Sequence, residues 1–281
     1  MPALVAPRLP DVLGAWHLEP PVVAALVVAA LAYRSAVRAP SRQGRREVAV
    51  DGPAPRRWAF YAGLATVAVA LLSPLATYAE ALLSVHMVQH LVLTLVAAPL
   101  IVLGRPLTVL SGGRPLRLGL LGPVARVASH PLVAWVAFAA VGWAIHFTSL
   151  FALALRSPVA HAAQHALFLG PALLFWAPVV GVGLGSRPPL SHPLRLLYLA
   201  VAMPQNTFLA LAIFSSGDVL YRGYERVVRD WGPSPLSDQR TAGGIMWVAG
   251  DLLLLVSVLL VANAWANHEA RQNADAESSS G

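Results

Sequence analysis

Long apolar stretches recur along the chain, and most continue for about twenty residues before a polar segment interrupts them. A helix needs about twenty apolar residues to cross the hydrocarbon core of a bilayer, because each residue adds only about 1.5 Å along its axis. A transmembrane β-barrel would show shorter segments in which polar and apolar residues alternate. The pattern therefore predicts an all-α, polytopic membrane helical bundle of about seven transmembrane helices. We place the spans at residues 21–33, 58–76, 81–103, 131–151, 159–184, 194–214 and 241–266.

The two ends of the chain need separate interpretation. The first span is short, and its helix can begin as early as Val12. No basic segment precedes it and no small-residue cleavage site follows it, which favours a retained helix over a signal peptide. The last segment, 267–281, is polar and rich in serine, so we expect it to be disordered. Residues 1–266 are accordingly predicted to form a single transmembrane domain.

Arginine is distributed unevenly among the predicted loops, and it supplies every basic side chain apart from histidine. Seven arginines lie between the first two spans, four after the third, two after the fifth and one in the tail, fourteen on one side. The opposite side has six. Because arginine-rich loops stay in the cytoplasm, we predict an N-terminus outside and a cytoplasmic C-terminus.

Composition narrows the function further. With 57% hydrophobic and 12% charged residues, the chain is too apolar for a soluble domain. The net charge of +7 comes mainly from loops beside apolar runs, which argues against a nucleic-acid partner. No cysteine is present, so disulfides and thiolate metal ligands are excluded. The sequence contains neither a Walker A motif, a dinucleotide fingerprint nor a nucleophile elbow, and we predict a protein that is not an enzyme.

Five histidines fall at one level of the predicted bundle. His86 and His90 begin the third span, His146 ends the fourth, and His161 and His165 begin the fifth, all in the predicted outer leaflet. Residues four apart share one face of a helix and lie about 6 Å apart along its axis. Such a pair presents two imidazole nitrogens to one ion, and another helix completes a site of three or four ligands. These five residues are our candidate metal ligands.

The identity of the ligand stays open at this point. A single histidine inside a membrane usually forms a hydrogen bond between helices, whereas two pairs and a third histidine at one depth favour a bound metal. Imidazoles select among copper, zinc, iron and nickel, and methionine would favour copper. Met87 and Met246 lie at a similar level, although ordinary core packing explains them equally well.

Three acidic residues are secondary candidates. Glu80 precedes the first histidine pair and is a candidate outer ligand or a group that orients an imidazole. Asp238 is suited to cap the start of the last span, and it also lies near the predicted level of the histidines. Asp251 falls near the bilayer midplane, where a charge costs about 3 kcal/mol, so we expect it to have a partner or a proton.

The sequence resembles the CtaG family of cytochrome c oxidase (caa3-type) assembly factors over roughly residues 55–265. Three motifs in the expected order carry this resemblance. They are His86-Met87-Val88-Gln89-His90 with Ala98-Pro99-Leu100 and Leu103-Gly104-Arg105-Pro106, His165-Ala166-Leu167-Phe168 with Leu174-Phe175-Trp176-Ala177-Pro178, and Ser237-Asp238-Gln239-Arg240-Thr241-Ala242-Gly243-Gly244-Ile245-Met246-Trp247.

The resemblance implies a multi-pass protein of the bacterial plasma membrane that helps to build a haem–copper oxidase. It also implies a role in delivering copper, with an oxidase subunit, notably the copper-containing one, as partner. Our main hypothesis is therefore a copper-binding assembly factor that uses the five histidines. The alternatives are a haem-binding membrane cytochrome with histidines as axial ligands, and a metal-free scaffold for oxidase subunits.

Overall fold

The computed structural model describes residues 14–39, 54–112, 119, 122–148, 153, 158–182, 189–225, 227 and 230–280. Every regular element in these ranges is helical, as the apolar pattern predicts. The helices are α1 (Pro20–Arg38), α2 (Ala54–Leu72), α3 (Pro74–Ala79), α4 (Leu83–Leu91), α5 (Ala98–Leu103), α6 (Pro106–Leu110), α7 (Gly122–Ala128), α8 (Pro131–Phe147), α9 (Pro158–Val180), α10 (His192–Phe214), α11 (Arg222–Glu225) and α12 (Pro235–Ser280). A π-helical segment, Val92–Ala97, joins α4 to α5.

Several of these helices are apolar and long enough to cross a membrane. Five qualify within the described residues, and a sixth is added if α7 and α8, which meet at 77°, count as one span. The qualifying helices are Pro20–Arg38, Leu83–Leu110, Val159–Val180, His192–Phe214 and Pro235–Ser278. The predicted number of seven and the predicted orientation are therefore not confirmed.

Two boundaries differ from the prediction for identifiable reasons. The second predicted span, 58–76, is broken after α2, because Ser73 adopts an extended backbone and caps α3 by accepting a hydrogen bond from the Leu75 N–H at 3.2 Å. Pro74 then occupies the first position of α3, where a missing N–H costs least. At the other end of the chain, where we expected a disordered tail, α12 continues through residues 267–280. The side chains of residues 267–278 are exposed.

The helical unit from Leu83 to Leu110, which comprises α4, the π-helical segment, α5 and α6, lies at the centre of the bundle. In its most apolar stretch of 18 residues, 67% of the residues are buried inside the protein, compared with 6% in the corresponding stretch of α1. The unit packs against α2, α9 and α12, and α12 in turn packs along α10. The central position explains how polar side chains of α4 are kept from lipid.

The π-helical segment within this unit has an evident cause. The N–H of Ala98 bonds five residues back instead of four, and the following residue is Pro99, which has no N–H to continue the pattern. The carbonyl of Thr94 would be the next acceptor in this register. Trp176 of α9 donates its indole N–H to that carbonyl at 2.8 Å. The proline and the tryptophan of two separate motifs are thus parts of one hydrogen-bonding arrangement.

A close approach of helices holds the far end of this unit. Tyr33 of α1 donates its hydroxyl hydrogen to the carbonyl oxygen of Gly104 at 2.9 Å and stacks on Phe60 of α2 with ring centroids 4.0 Å apart. A Cβ atom on Gly104 would lie only 2.5 Å from the Cβ of Phe60. A larger residue at position 104 would collide with Phe60, so the close packing of these helices requires glycine there.

Candidate metal centre

The first turn of α4 is held by a residue from another helix. Asp238 of α12 is buried, with 1% of its surface exposed. One carboxylate oxygen accepts from the Leu83 N–H at 2.6 Å, and the other accepts from the Ser84 N–H at 3.3 Å and its hydroxyl at 2.5 Å. Asp238 therefore caps α4 in addition to standing in the first turn of its own helix. Because His86 and His90 follow directly, it sets the position of both imidazoles.

The histidines of α4 are buried and lie close to each other. His86 is 3% and His90 is 5% exposed, and their ring centroids are 4.2 Å apart. His146, at the end of α8, is 5% exposed, and its ring centroid lies 5.9 Å from that of His90. On α9, His161 and His165 are half-buried, with ring centroids 4.5 Å apart.

All five predicted histidines lie in one region of the bundle. Electrostatic interactions connect His86 and His90 with His146, His161 and His165. The sequence placed these residues at one level of three helices, but it could not say whether their faces met. The structure brings the three faces together at one end of α4.

Several of these imidazoles present a nitrogen without a hydrogen-bond partner. Within the described residues, this holds for Nε2 of His90, His146 and His165. In His146 the other nitrogen, Nδ1, lies 2.6 Å from the carbonyl oxygen of Gly142. A carbonyl oxygen only accepts, so Nδ1 carries the proton and Nε2 keeps its lone pair, as in a histidine prepared for a metal.

The side chains do not form a closed coordination sphere. In the parts of the chain that the structure describes, no three carboxylate or imidazole groups are grouped as ligands of one ion. The fit to a metal therefore rests on the buried Nε2 atoms and on the type of donor, and the ligand roles of the five histidines stay predictions.

A cavity of about 60 Å³ opens beside this cluster. Its wall includes His90 and His146 together with Met87 and Met246. Both methionine side chains are buried, at 1% and 9% exposure. Phe168 also lines the cavity, and its ring centroid lies 3.5 Å from that of His90.

The remaining acidic candidates lie away from the imidazoles or have other partners. Glu80 is exposed at the end of α3. Asp251 of α12 accepts hydrogen bonds from the Asn206 amide at 2.9 Å and the Thr207 hydroxyl at 2.6 Å, both on α10. This confirms that Asp251 has partners, and it assigns the carboxylate to joining two helices.

Sequence reasoning missed the glutamines of the site. Gln239, beside Asp238, is buried and accepts from the Leu220 N–H at 2.8 Å, which ties the start of α12 to the preceding segment. Gln89 donates to the carbonyl oxygen of Ala70 at 2.8 Å and so ties α4 to α2. The sequence signal that could have found Gln89 is that a glutamine directly precedes the second histidine in both pairs, Gln89 before His90 and Gln164 before His165.

Two buried tyrosines of the segment between α10 and α12 pack in the same cluster as Met87 and Met246. Tyr221 is buried, and its ring centroid lies 6.5 Å from that of His146. Tyr224 donates its hydroxyl hydrogen to the carbonyl oxygen of Ala79 at 2.8 Å. Burial raises the pKa of both tyrosines, so their hydroxyl groups stay protonated. The Tyr221 ring beside His146 is therefore a neutral neighbour of the cluster.

In the described residues, five or six helices are apolar and long enough to cross a membrane, which is typical of a polytopic helical membrane protein. The chain belongs to the cytochrome c oxidase caa3 assembly factor family, whose model matches residues 31–268. This confirms the family that the three sequence motifs indicated. Oxidase assembly is the role by which this family is described.

Similar proteins occur in mycobacteria. An uncharacterized protein of Mycobacterium bovis and one of Mycobacterium tuberculosis are each 29% identical over 279 residues, which cover 94% of this chain and 41% of the relative. An uncharacterized protein of Mycobacterium leprae is 25% identical over 270 residues, or 91% of this chain and 40% of the relative. The chain thus spans about two fifths of the length of these relatives. No solved structure matches it.

Proposed function

We propose that this protein binds copper through the histidines of α4, α8 and α9 and passes it to the copper-containing subunit of a haem–copper oxidase. The observation that carries the proposal is the set of buried Nε2 atoms on His90, His146 and His165 that have no hydrogen-bond partner within the described residues. Leaving a buried polar atom unpaired costs about 1–3 kcal/mol, and a metal ion removes that cost by accepting the lone pair. Chain composition limits the ligands to imidazole, thioether and oxygen, since cysteine is absent.

The spacing of the rings suits this role. With metal–nitrogen bonds of about 2.0 Å, two imidazoles on one ion hold their ring centroids about 5 Å apart. The centroid distances of 4.2 Å between His86 and His90 and 5.9 Å between His90 and His146 bracket that value. Side-chain rotation alone would therefore bring these nitrogens onto one ion, without movement of a helix.

Transfer to the partner needs no change in the oxidation state of the metal. The copper ion would leave the imidazole nitrogens for the ligands of the oxidase subunit, and the imidazoles would return to their neutral, unligated form. The arginine distribution favours a position of the cluster towards the outer face of the bacterial plasma membrane. We expect the oxidase subunit to bind this protein at the outer side.

The proposal is tested by measuring bound copper in the purified protein. We expect about one equivalent of copper or more in the unaltered chain, and a loss of at least tenfold in copper affinity after the double change His90→Ala and His165→Ala. His268→Ala is the matched control, because this histidine is exposed on the distant part of α12. Unchanged copper content in the double variant would contradict copper binding by these histidines.

A cellular readout complements the binding measurement. In cells that lack the native protein, the double variant should restore less caa3-type oxidase activity than the control variant, and added copper should raise that activity. Full oxidase assembly with the double variant would favour the metal-free scaffold instead. The haem alternative gains no support from the cavity, since about 60 Å³ is far below the several hundred Å³ of an ordinary cofactor pocket.

A further inference from the structure

The cavity beside the cluster divides the histidines into two groups. His90 and His146 line it, whereas His86, His161 and His165 do not. Met87 and His90 are three residues apart and lie on neighbouring positions of one side of α4, so both reach the cavity. His86 lies about 100° around the helix from Met87, and His90 lies between the two directions, so His90 faces both the cavity and His86. The cavity is therefore a different coordination environment from the three other histidines.

Two methionines complete the donor set of this cavity. Met87 comes from α4 and Met246 from α12, and the two side chains belong to the same buried cluster. Met203, on α10, packs in another cluster and does not line the cavity. Two thioethers and two imidazoles from three helices are thus among the side chains that line one small cavity. Soft thioether ligands together with imidazole select Cu(I) over harder ions.

Charge and volume point to the same ion. Thioethers and imidazoles are neutral, so the four candidate ligands supply no negative charge to offset an ion buried among them. Burying one positive charge costs much less than burying two, which favours a monovalent ion. A volume of about 60 Å³ has room for an ion with only a few waters, so protein side chains would replace much of its hydration shell.

We infer that this cavity is a Cu(I) site in which Met87, His90, His146 and Met246 are the ligands. The Nε2 atoms of His90 and His146 are buried and have no hydrogen-bond partner within the described residues, so both lone pairs are available. The ring centroids of His90 and His86 are 4.2 Å apart, which gives copper a short path between this site and the other histidines. The inference rests on the proposed function, copper binding, and adds the oxidation state and the sulfur ligands.

The test uses the full chain, purified in detergent and loaded with Cu(I) under anaerobic, reducing conditions. X-ray absorption at the copper edge should show sulfur as well as nitrogen neighbours. Competition with a Cu(I) chelator should show at least a tenfold loss of affinity in the double variant Met87→Leu and Met246→Leu. Leucine keeps nearly the same volume, so this variant should retain the fold. Met203→Leu makes the same chemical change outside the cavity and should leave the affinity unchanged.

A second measurement avoids any change at the site. Protein in which methionine is replaced by selenomethionine should show a copper neighbour at the selenium edge, because two of the four methionines line the cavity. Bound copper with nitrogen neighbours only, and no copper at the selenium edge, would overturn the sulfur-ligated site while leaving the proposed function in place. Absence of bound copper in either oxidation state would overturn both.

Discussion

Replacing Asp238 by alanine removes the carboxylate that caps the helix of the first histidine pair. The Leu83 N–H then loses its acceptor at 2.6 Å, and it cannot turn to water because Leu83 is buried at 2% exposure. Ser84 loses acceptors for its N–H and its hydroxyl, but this residue is half-buried and recovers part of the loss from water.

The expected loss of stability follows from these contacts. A buried donor left without a partner costs about 1–3 kcal/mol, and an ordinary hydrogen bond contributes about 0.5–1.5 kcal/mol. Removing a capping side chain typically costs about 0.5–2 kcal/mol, which agrees in size. We therefore expect Asp238→Ala to lower the free energy of unfolding by about 2–4 kcal/mol. Asp238→Asn keeps one accepting oxygen and should cost about half as much.

The assay is reversible unfolding in mixed micelles, followed by circular dichroism, together with copper affinity measured on the folded fraction. Ser84→Ala is the matched control, because it removes one bond to the same carboxylate and leaves both N–H caps in place; its cost should stay below about 1 kcal/mol. Copper affinity should fall with Asp238→Ala, since the first turn of α4 loses its fixed position. Equal stability of the alanine variant and the unaltered chain would refute the capping role.

Two further predictions concern the packing of the central helical unit. Trp176→Phe keeps an aromatic ring but leaves the Thr94 carbonyl without its donor, so it should lower the free energy of unfolding by about 1–3 kcal/mol. The control is Trp143→Phe, at a more exposed position, which should change that free energy by less than about 0.5 kcal/mol. Gly104→Ala places a Cβ atom 2.5 Å from a phenylalanine side chain and should cost about 1–3 kcal/mol. Gly170→Ala meets nothing within 4 Å and should be neutral or stabilising by up to about 1 kcal/mol. Similar effects of the two glycine changes would contradict the close approach of α2 and α5.

Much of the helical layout was predictable because helices long enough to cross a membrane have continuous apolar runs in the sequence. The predicted span 194–214 corresponds closely to α10, His192–Phe214. The break after α2 was not predicted, since it depends on the backbone of one serine. The extension of α12 past its apolar part was also missed, because hydropathy marks where a helix is apolar and not where it ends.

The candidate site shows the same division between local and long-range information. Spacing alone put His86 with His90 and His161 with His165 on shared helix faces, because that relation depends only on the pitch of a helix. The contact of Asp238 with Leu83 joins residues 155 positions apart, and no local pattern encodes it. Sequence reasoning therefore assigned Asp238 to its own helix, where the same residue type is also favourable.

The sequence by itself determined the class of protein, the level of the five histidines and, through three motifs, the oxidase assembly family. These properties are carried by composition, helical periodicity and local order along the chain. Only the tertiary structure decided which helix faces meet, and hence that His90 and His146 share a cavity with Met87 and Met246 while the other histidines do not. The physical reason is that the rotation of each helix about its axis is set by packing against its neighbours, which no single helix specifies.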